Sequence, residues 1–305
     1  MKRFWILWGE RYLYTPSLFQ KILSVLLLPL SWIYCLGAYI RYRRSKPKSL
    51  GIPVISIGNL TVGGSGKTPV VIEMAKLFEK PAIVLRGYGR QSKGMVVVKD
   101  KSTILCDVIR SGDEAMLYAE LLGSAVVIVS EIRERAIAEA KAMGCEVVLL
   151  DDGYGKHTIE KLDLVIAVPT PNPYCLPSGP YRERLWSGKN SMILMEKVAF
   201  KRSVSVKNPT DKMVLVTAIA RPERLDPFLP DVVEKIYFED HHFFTQGELE
   251  MIIERTGATS LLVTSKDLVK MSSYKKINLS VLELSITLDE TLITTVKEYV
   301  HAAQN

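Results

Sequence analysis

The chain is poor in cysteine and histidine, with four of each in 305 residues. Cys35, Cys106, Cys145 and Cys175 lie far apart, without a C-x-x-C pair or a Cys/His cluster. That spacing points to neither a zinc site nor a disulfide framework, and a reducing cytoplasmic setting is the default expectation. Internal repeats and low-complexity tracts are absent, which excludes solenoids and biased, unfolded segments. Acidic residues are in deficit: 33 Asp and Glu stand against 40 Lys and Arg, for a net charge of +7. Such a balance suits nucleic acid, an anionic membrane surface or an anionic substrate. The basic residues form neither a helix-turn-helix pattern nor an aromatic-interleaved patch, so no nucleic-acid partner is expected. At 48% hydrophobic and 24% charged, the sequence is that of a folded chain, long enough for one large or two modest cores.

Charge is also scarce near the N-terminus. In "PSLFQKILSVLLLPLSWIYCLGAYI", residues 16–40, Lys21 is the one charged residue, and "RYRRSKPK", residues 41–48, follows at once. Three readings stand open: an inserted or interfacial anchor, a single full span, and a buried core helix. A signal peptide fits poorly because the apolar run is long and a basic cluster follows it. An anchor would set the basic block on the cytoplasmic side, against anionic lipid. Residues 1–48 are therefore expected to form a membrane-associated helix with a basic flank, at the cytoplasmic face of a membrane.

Beyond Pro47, short apolar runs alternate with amphipathic ones. Residues 53–58, 82–87, 125–130, 146–152 and 162–168 read as buried strands, and 68–80, 112–123 and 132–144 as helices between them. The alternation predicts an α/β fold with a parallel sheet and helices on both faces over 49–205. Polar "KRSVSVKNPTD", 201–211, reads as a linker into a smaller α/β domain at 212–305. That domain is expected to hold strands near 212–220 and 281–288, a strand and a helix start within 260–271, and helices at 246–257 and 289–303.

Between the first strand and the first helix lies "GNLTVGGSGKT". Strand, glycine-rich turn, Lys-Thr and helix form the context of a phosphate-binding loop, although Thr61 stands where the usual pattern has its first glycine. Gly63, Gly64 and Gly66, with Ser65 between them, let backbone N–H groups turn toward phosphate oxygens. Lys67 would reach the β- and γ-phosphates of ATP, and the Thr68 hydroxyl would serve Mg²⁺. A glycine-rich turn with an incidental lysine is the bland alternative. "EVVLLDDG" then places Asp151 and Asp152 at a strand's C-terminal end, where open α/β sheets bind ligands and where a carboxylate can hold Mg²⁺. A solvated Asp-Asp-Gly turn is the competing reading.

Several segments together resemble one family, the tetraacyldisaccharide 4'-kinases of lipid A synthesis. They are "YTPSLFQKILSVLLLPLSWIY", "IPVISIGNLTVGGSGKTPVV", "LRGYGRQSKG", "GDEAMLYA", "LLDDGYGKH", "LPSGPYRE", "AIARPERL", "FEDHHFFT" and "VTSKDLVKM". Each is weak alone; their order and spacing over nearly the whole chain are specific. The resemblance implies a P-loop kinase that passes the γ-phosphoryl group of ATP to the 4'-hydroxyl of an acylated glucosamine disaccharide 1-phosphate at the inner membrane surface.

The resemblance also implies roles. Asp113 of "GDEA" is the candidate base, with His241 and Asp240 of "EDHHFF" brought near it by the second domain. Thr68, Asp151, Asp152 and Glu183 are the implied metal residues, and Tyr88, Arg133 and Arg182 the implied substrate or phosphate residues. Read without the family, "EDHHFF" is a polar loop, Glu183 a surface carboxylate and Arg133 a helix-surface arginine. The family's Asp-Asp-Gly-Phe-Gln-His is "DDGYGKH" here: Gly155 and Lys156 replace Gln-His, and His157 is shifted by one. Ala115 and Arg184 stand where the family usually has proline. Two other readings compete, a membrane NTPase without an acceptor and a basic nucleic-acid binder. The sequence lacks the N-K-x-D motif of guanine-reading switches.

Overall fold

The computed structural model describes residues 2–63, 66–219, 222–240, 242–271, 274 and 277–304, with the backbone alone for 2–7. Three helices come first: α1 Lys2–Tyr14, α2 Leu18–Leu26 and α3 Leu28–Arg44. Ser17 caps α2 and forms a capping box with Gln20. The single N-terminal helix expected from the sequence is thus divided. Among the described residues no single helix is long and apolar enough to cross a membrane; α2 and α3 pass that test only as a pair bent by 58°.

The polarity of this pair is reversed relative to an ordinary surface helix. Gln20, Ser24 and Ser31 are buried, whereas Leu18, Phe19, Leu26, Trp32 and Ile33 are each at least 67% exposed. The Ser24 hydroxyl donates to Ser178 O at 2.6 Å, and Ser178 N–H donates to the Ser31 hydroxyl at 2.9 Å. The core-helix reading is therefore excluded: the apolar side points away from the protein. Along α3, Tyr34 OH meets Arg182 O at 3.3 Å, Arg41 pairs with Glu183, and Tyr42 OH meets Ser187 O at 2.8 Å. Cys35 is disulfide-bonded to Cys175, which corrects the expectation of no disulfide. The two lie 140 residues apart, and one long-range pair leaves no spacing pattern to read.

The first sheet follows the expected alternation. Its elements are β1 Val54–Gly58, α4 Lys67–Ala75, β2 Pro81–Leu85, β3 Val96–Lys99, α5 Val108–Ser111, α6 Asp113–Leu121, β4 Val126–Val129, α7 Arg133–Ala142, β5 Val147–Asp151, β6 Leu162–Ile166 and β7 Ser191–Leu194. The strand order is β3-β4-β2-β5-β1-β6-β7, parallel throughout except for β3. Strands β1, β2, β4, β5 and β6 are buried along their whole length, as a sheet covered on both faces requires. Ile55, Ile57, Ile83 and Leu149 face α4 and α6, while Val54, Ala82, Val84 and Val148 face α7.

The second sheet is built from β8 Phe200–Lys207, β9 Met213–Thr217, β10 Lys235–Tyr237, β11 Ser260–Thr264 and β12 Leu279–Leu288, in the order β10-β9-β11-β12-β8. A 3₁₀ turn at Pro222–Phe228 and helices α8 Gln246–Thr256, α9 Ser265–Leu268 and α10 Glu290–Gln304 complete it. The expected linker at 201–211 is corrected here. β8 pairs antiparallel with β12 over eight residues, and Val204 and Val206 pack on the second core. Its lysines and serines make it look like a loop, but they occupy the solvent face of an edge strand. Helix α10 also crosses back: Leu292, Val296 and Val300 are buried in the first core, and Tyr299 OH donates to Val54 O at 3.1 Å.

Candidate active site

The parallel strands β1 and β5 end side by side, and the loops leaving them carry the site. Gly63 and Gly66 lie at φ 85° and 69°, a region an L residue enters only with strain, so these two positions turn the loop. Gly64 and Ser65, expected to share that work, lie outside the described residues. Thr61 explains its own presence. It is buried, pairs as an antiparallel bridge with Tyr181, and accepts from Asn59 Nδ2 at its hydroxyl and carbonyl oxygens (3.1 and 2.9 Å). A position held in extended pairing has no use for a glycine.

Lys67 opens α4 and reaches across to the end of β5. Its ammonium is 3.4 Å from Asp152 Oδ1 and 3.1 Å from Asn59 Oδ1. Arg182 donates to the same two acceptors, pairing with Asp152 and lying 3.2 Å from Asn59 Oδ1. Asp152 stands at φ 55°, which turns its carboxylate toward these cations. Burial pushes the Asp152 carboxyl up, but Lys67 and Arg182 outweigh it and hold the group below its ordinary range. Asp151 is the opposite case. Burial first, then the Glu114 carboxylate, pushes it up to about 7 against the pull of Lys67. Tyr118 OH donates to Asp151 Oδ2 at 2.8 Å and also bonds Thr68, while Asp151 Oδ1 is buried with no hydrogen-bond partner among the described residues.

Arg133 is buried at the start of α7, not on the helix surface. It donates to Ser130 O, and burial lowers its pKa against the raising fields of Asp151 and Asp152. Tyr88 is 67% exposed and lines a small cleft with Gly89, Asp113 and Phe243. The structure thus brings Tyr88 to Asp113, and Lys67, Asp152 and Arg182 to one another.

Glu183 is not gathered with the other implied metal residues. It pairs with Arg41, accepts from Trp186 Nε1 at 3.1 Å and faces His157 Nε2 at 3.5 Å. Burial raises its pKa, but the His157 and Trp186 hydrogen bonds outweigh that and hold it low. Among the described residues no group of three or more His, Cys, Asp or Glu converges as a metal cluster. The shifted His157 and Gly155 belong to this contact, since a Cβ on Gly155 would lie 3.2 Å from Glu183 Oε1.

Asp113 begins α6, its Oδ1 accepting from Glu114 N–H at 2.9 Å. From the second sheet Lys266 approaches Asp113 Oδ2 at 3.7 Å and Asp240 Oδ1 at 3.8 Å. His241 lies outside the described residues. His242 is turned elsewhere, stacked 4.7 Å from the Phe238 ring and 3.5 Å from Glu248. Four residues of this site were not singled out from sequence: Asn59, Tyr118, Lys266 and Arg202. A Cβ on Gly66 would lie 2.4 Å from Arg202 Nη2, so this arginine of β8 overlies the phosphate loop.

The model of the tetraacyldisaccharide-1-P 4'-kinase family matches residues 23–207 and 189–301. The chain belongs to that family. It is 42% identical over 307 residues to the tetraacyldisaccharide 4'-kinase of Aliarcobacter butzleri strain RM4018, covering 97% of this chain and 98% of the relative. It is 46% identical over 295 residues to that of Helicobacter acinonychis strain Sheeba, covering 95% and 94%. Its fold is similar to that of "apo" form LpxK from Aquifex aeolicus in complex with ATP, with a TM-score of 0.71 and 25% identity over 93% of this chain and 100% of that one. Membership of the tetraacyldisaccharide 4'-kinase family fits a phosphate loop and an acidic strand end in the same crevice.

Proposed function

We propose that this chain transfers the γ-phosphoryl group of ATP to the 4'-hydroxyl of an acylated glucosamine disaccharide 1-phosphate, the step that makes lipid IVA in lipid A assembly. The observation that carries this reading is the meeting of Lys67, Arg182 and Asp152 above the ends of β1 and β5, in a chain of this family. Two cations there lie beside the phosphate loop, where they would take the charge of a triphosphate. Asp113 accepts the proton of the 4'-hydroxyl. The O4'–phosphorus bond forms as the bond from the γ-phosphorus to ADP breaks.

Mg²⁺ fits the residues at the strand end. Thr68, Asp151 and Asp152 supply hard oxygen donors, and Asp151 Oδ1 is a buried oxygen without a partner among the described residues. The ion would neutralise phosphate charge during transfer. Glu183 is left out of this set, being committed to Arg41, His157 and Trp186.

A lipid surface is the second partner. The outward apolar side of α2 and α3, with Arg41, Arg43 and Arg44 in the last turn, supports docking at the cytoplasmic face of an inner membrane. An acyl-chain substrate would be met there.

Purified protein given Mg-ATP and the acylated disaccharide 1-phosphate in mixed micelles is expected to yield the 4'-phosphorylated product and ADP. ATP hydrolysis without that product would instead support the acceptor-free NTPase reading.

A further inference from the structure

Lys266 is the second residue of α9, directly after β11 of the second sheet, yet its ammonium lies against the start of α6. It is 3.7 Å from Asp113 Oδ2, 3.5 Å from Glu114 Oε1 and 3.8 Å from Asp240 Oδ1, with the side chain 19% exposed. Its ion-pair partners among the described residues are these three carboxylates. Two belong to the first turn of α6 and one to the loop ahead of α8.

The neighbouring residue holds α9 in place. Asp267 accepts from Thr217 and Thr264 hydroxyls at 2.6 and 2.7 Å and from Ala218 N–H at 3.1 Å, and pairs with Lys270 at 3.1 Å. Lys266 is spared that duty and projects the other way. Burial works against its charge, and the carboxylates of Glu114, Asp113, Asp240 and Asp267 more than restore it.

We propose that Lys266 is a positioning residue for phosphoryl transfer, the cation by which the second sheet holds the Asp113 carboxylate in its working orientation. The proposal rests on the reading of Asp113 as proton acceptor. Lys266 offsets the mutual repulsion of these three neighbouring carboxylates, Asp113, Glu114 and Asp240. Without Lys266 the Asp113 carboxylate would lose this cation while keeping the Glu114 and Asp240 carboxylates beside it, which shifts its preferred orientation. The separations of 3.5–3.8 Å are longer than a close ammonium–carboxylate contact. They leave room to tighten when the two sheets draw together on substrate, as catalytic contacts commonly do. Nucleotide binding is a separate matter, because Lys67, Asn59 and Arg182 lie on other elements.

The test compares wild type, Lys266→Met, Lys266→Arg and Asp240→Asn in the mixed-micelle assay, with nucleotide affinity measured alongside. Misplacing a reacting group by about 1 Å costs about 100-fold in rate, so Lys266→Met is expected to lose about that factor in kcat while KM for ATP moves less than about 3-fold. Lys266→Arg keeps the charge and should recover about 10-fold or more of the loss. In the Asp240→Asn background the Lys266→Met loss should shrink, since the two residues interact.

A kcat for Lys266→Met near wild type, or a Lys266→Arg variant no better than Lys266→Met, would overturn the proposal. Should Lys266→Met fail to bind ATP, the arginine variant and the cycle with Asp240→Asn carry the decision. Failure of the underlying reading looks different: a wild type without product, or an Asp113→Asn variant that turns over normally.

Discussion

The Tyr118 hydroxyl and the Asp151 carboxylate meet at 2.8 Å, both fully buried. Helix α6 carries Asp113 at its start and Tyr118 five residues on, so this contact ties the acceptor side of the crevice to the strand end beside the phosphate loop. Tyr118→Phe removes the one donor to Asp151 Oδ2 among the described residues and takes a hydrogen bond from a buried carboxyl. The expected cost is about 1–3 kcal/mol of unfolding free energy. Denaturant titration checks this, and an unchanged midpoint would refute it.

Gly66→Ala should damage nucleotide binding for two reasons. The left-handed backbone costs an L residue about 1–2 kcal/mol, and the new methyl would meet the Arg202 guanidinium 2.4 Å away. A loss of about 10-fold or more in affinity for a fluorescent ATP analogue is expected. Adding Arg202→Ala removes the clash but not the backbone strain, so rescue should be partial.

Glu183 is predicted to act in stability rather than in metal binding. Glu183→Ala strips a buried carboxylate from Arg41, His157 and Trp186; with Arg41 itself exposed, a loss of about 1–3 kcal/mol is expected. Glu183→Gln should keep the dependence of rate on Mg²⁺ concentration unchanged. A marked rise in the Mg²⁺ required would return Glu183 to the metal set.

A pH dependence of stability follows from Lys161. Burial pushes its pKa down to about 8, with Asp163 3.0 Å away opposing the shift. The unfolded chain keeps the ordinary lysine value, so between about pH 8 and 10 it binds more protons at this site than the folded chain. That difference makes stability rise with pH in this window, by at most about 1.4 kcal/mol per pH unit from this group. Lys161→Met leaves Asp163 paired with Lys189 at 2.7 Å and should flatten the rise. Thermal or denaturant unfolding across pH 7–10 of both proteins tests it; equal slopes would count against the assignment.

The membrane reading predicts that Phe19→Glu with Leu26→Glu weakens sedimentation with anionic vesicles by about 10-fold or more, since each apolar side chain contributes about 2 kcal/mol on burial. ATP binding in detergent should persist. Vesicle binding equal to wild type would mean that another surface docks.

The sequence reads most clearly where chemistry is local. Strand, glycine turn, Lys67 and helix are contiguous, and Asp151 and Asp152 close a run of buried aliphatics, so period and position announce both. Lys266 and Tyr118 gave no such signal. A lysine at the head of a four-residue helix and a tyrosine on a helix face look like solvent and core residues until the fold sets carboxylates beside them. The same holds for Asn59, which lies in the quoted loop but is recognised only through Lys67, Thr61 and Arg182. β8 was misread because an edge strand facing water has a loop's composition. Asp240 was placed through the family pattern, and the fold supplies its cation, Lys266.

Helix α3 is fastened along one side to the segment that runs through Cys175 to Ser187, and Arg182 of that segment holds Asp152. The helix whose other side is bare hydrocarbon is therefore a few bonds from the nucleotide crevice. Any detergent that shifts α3 pulls on the backbone of Arg182. The choice of solubilising agent then becomes an experimental variable of the catalytic assay, not only of protein yield.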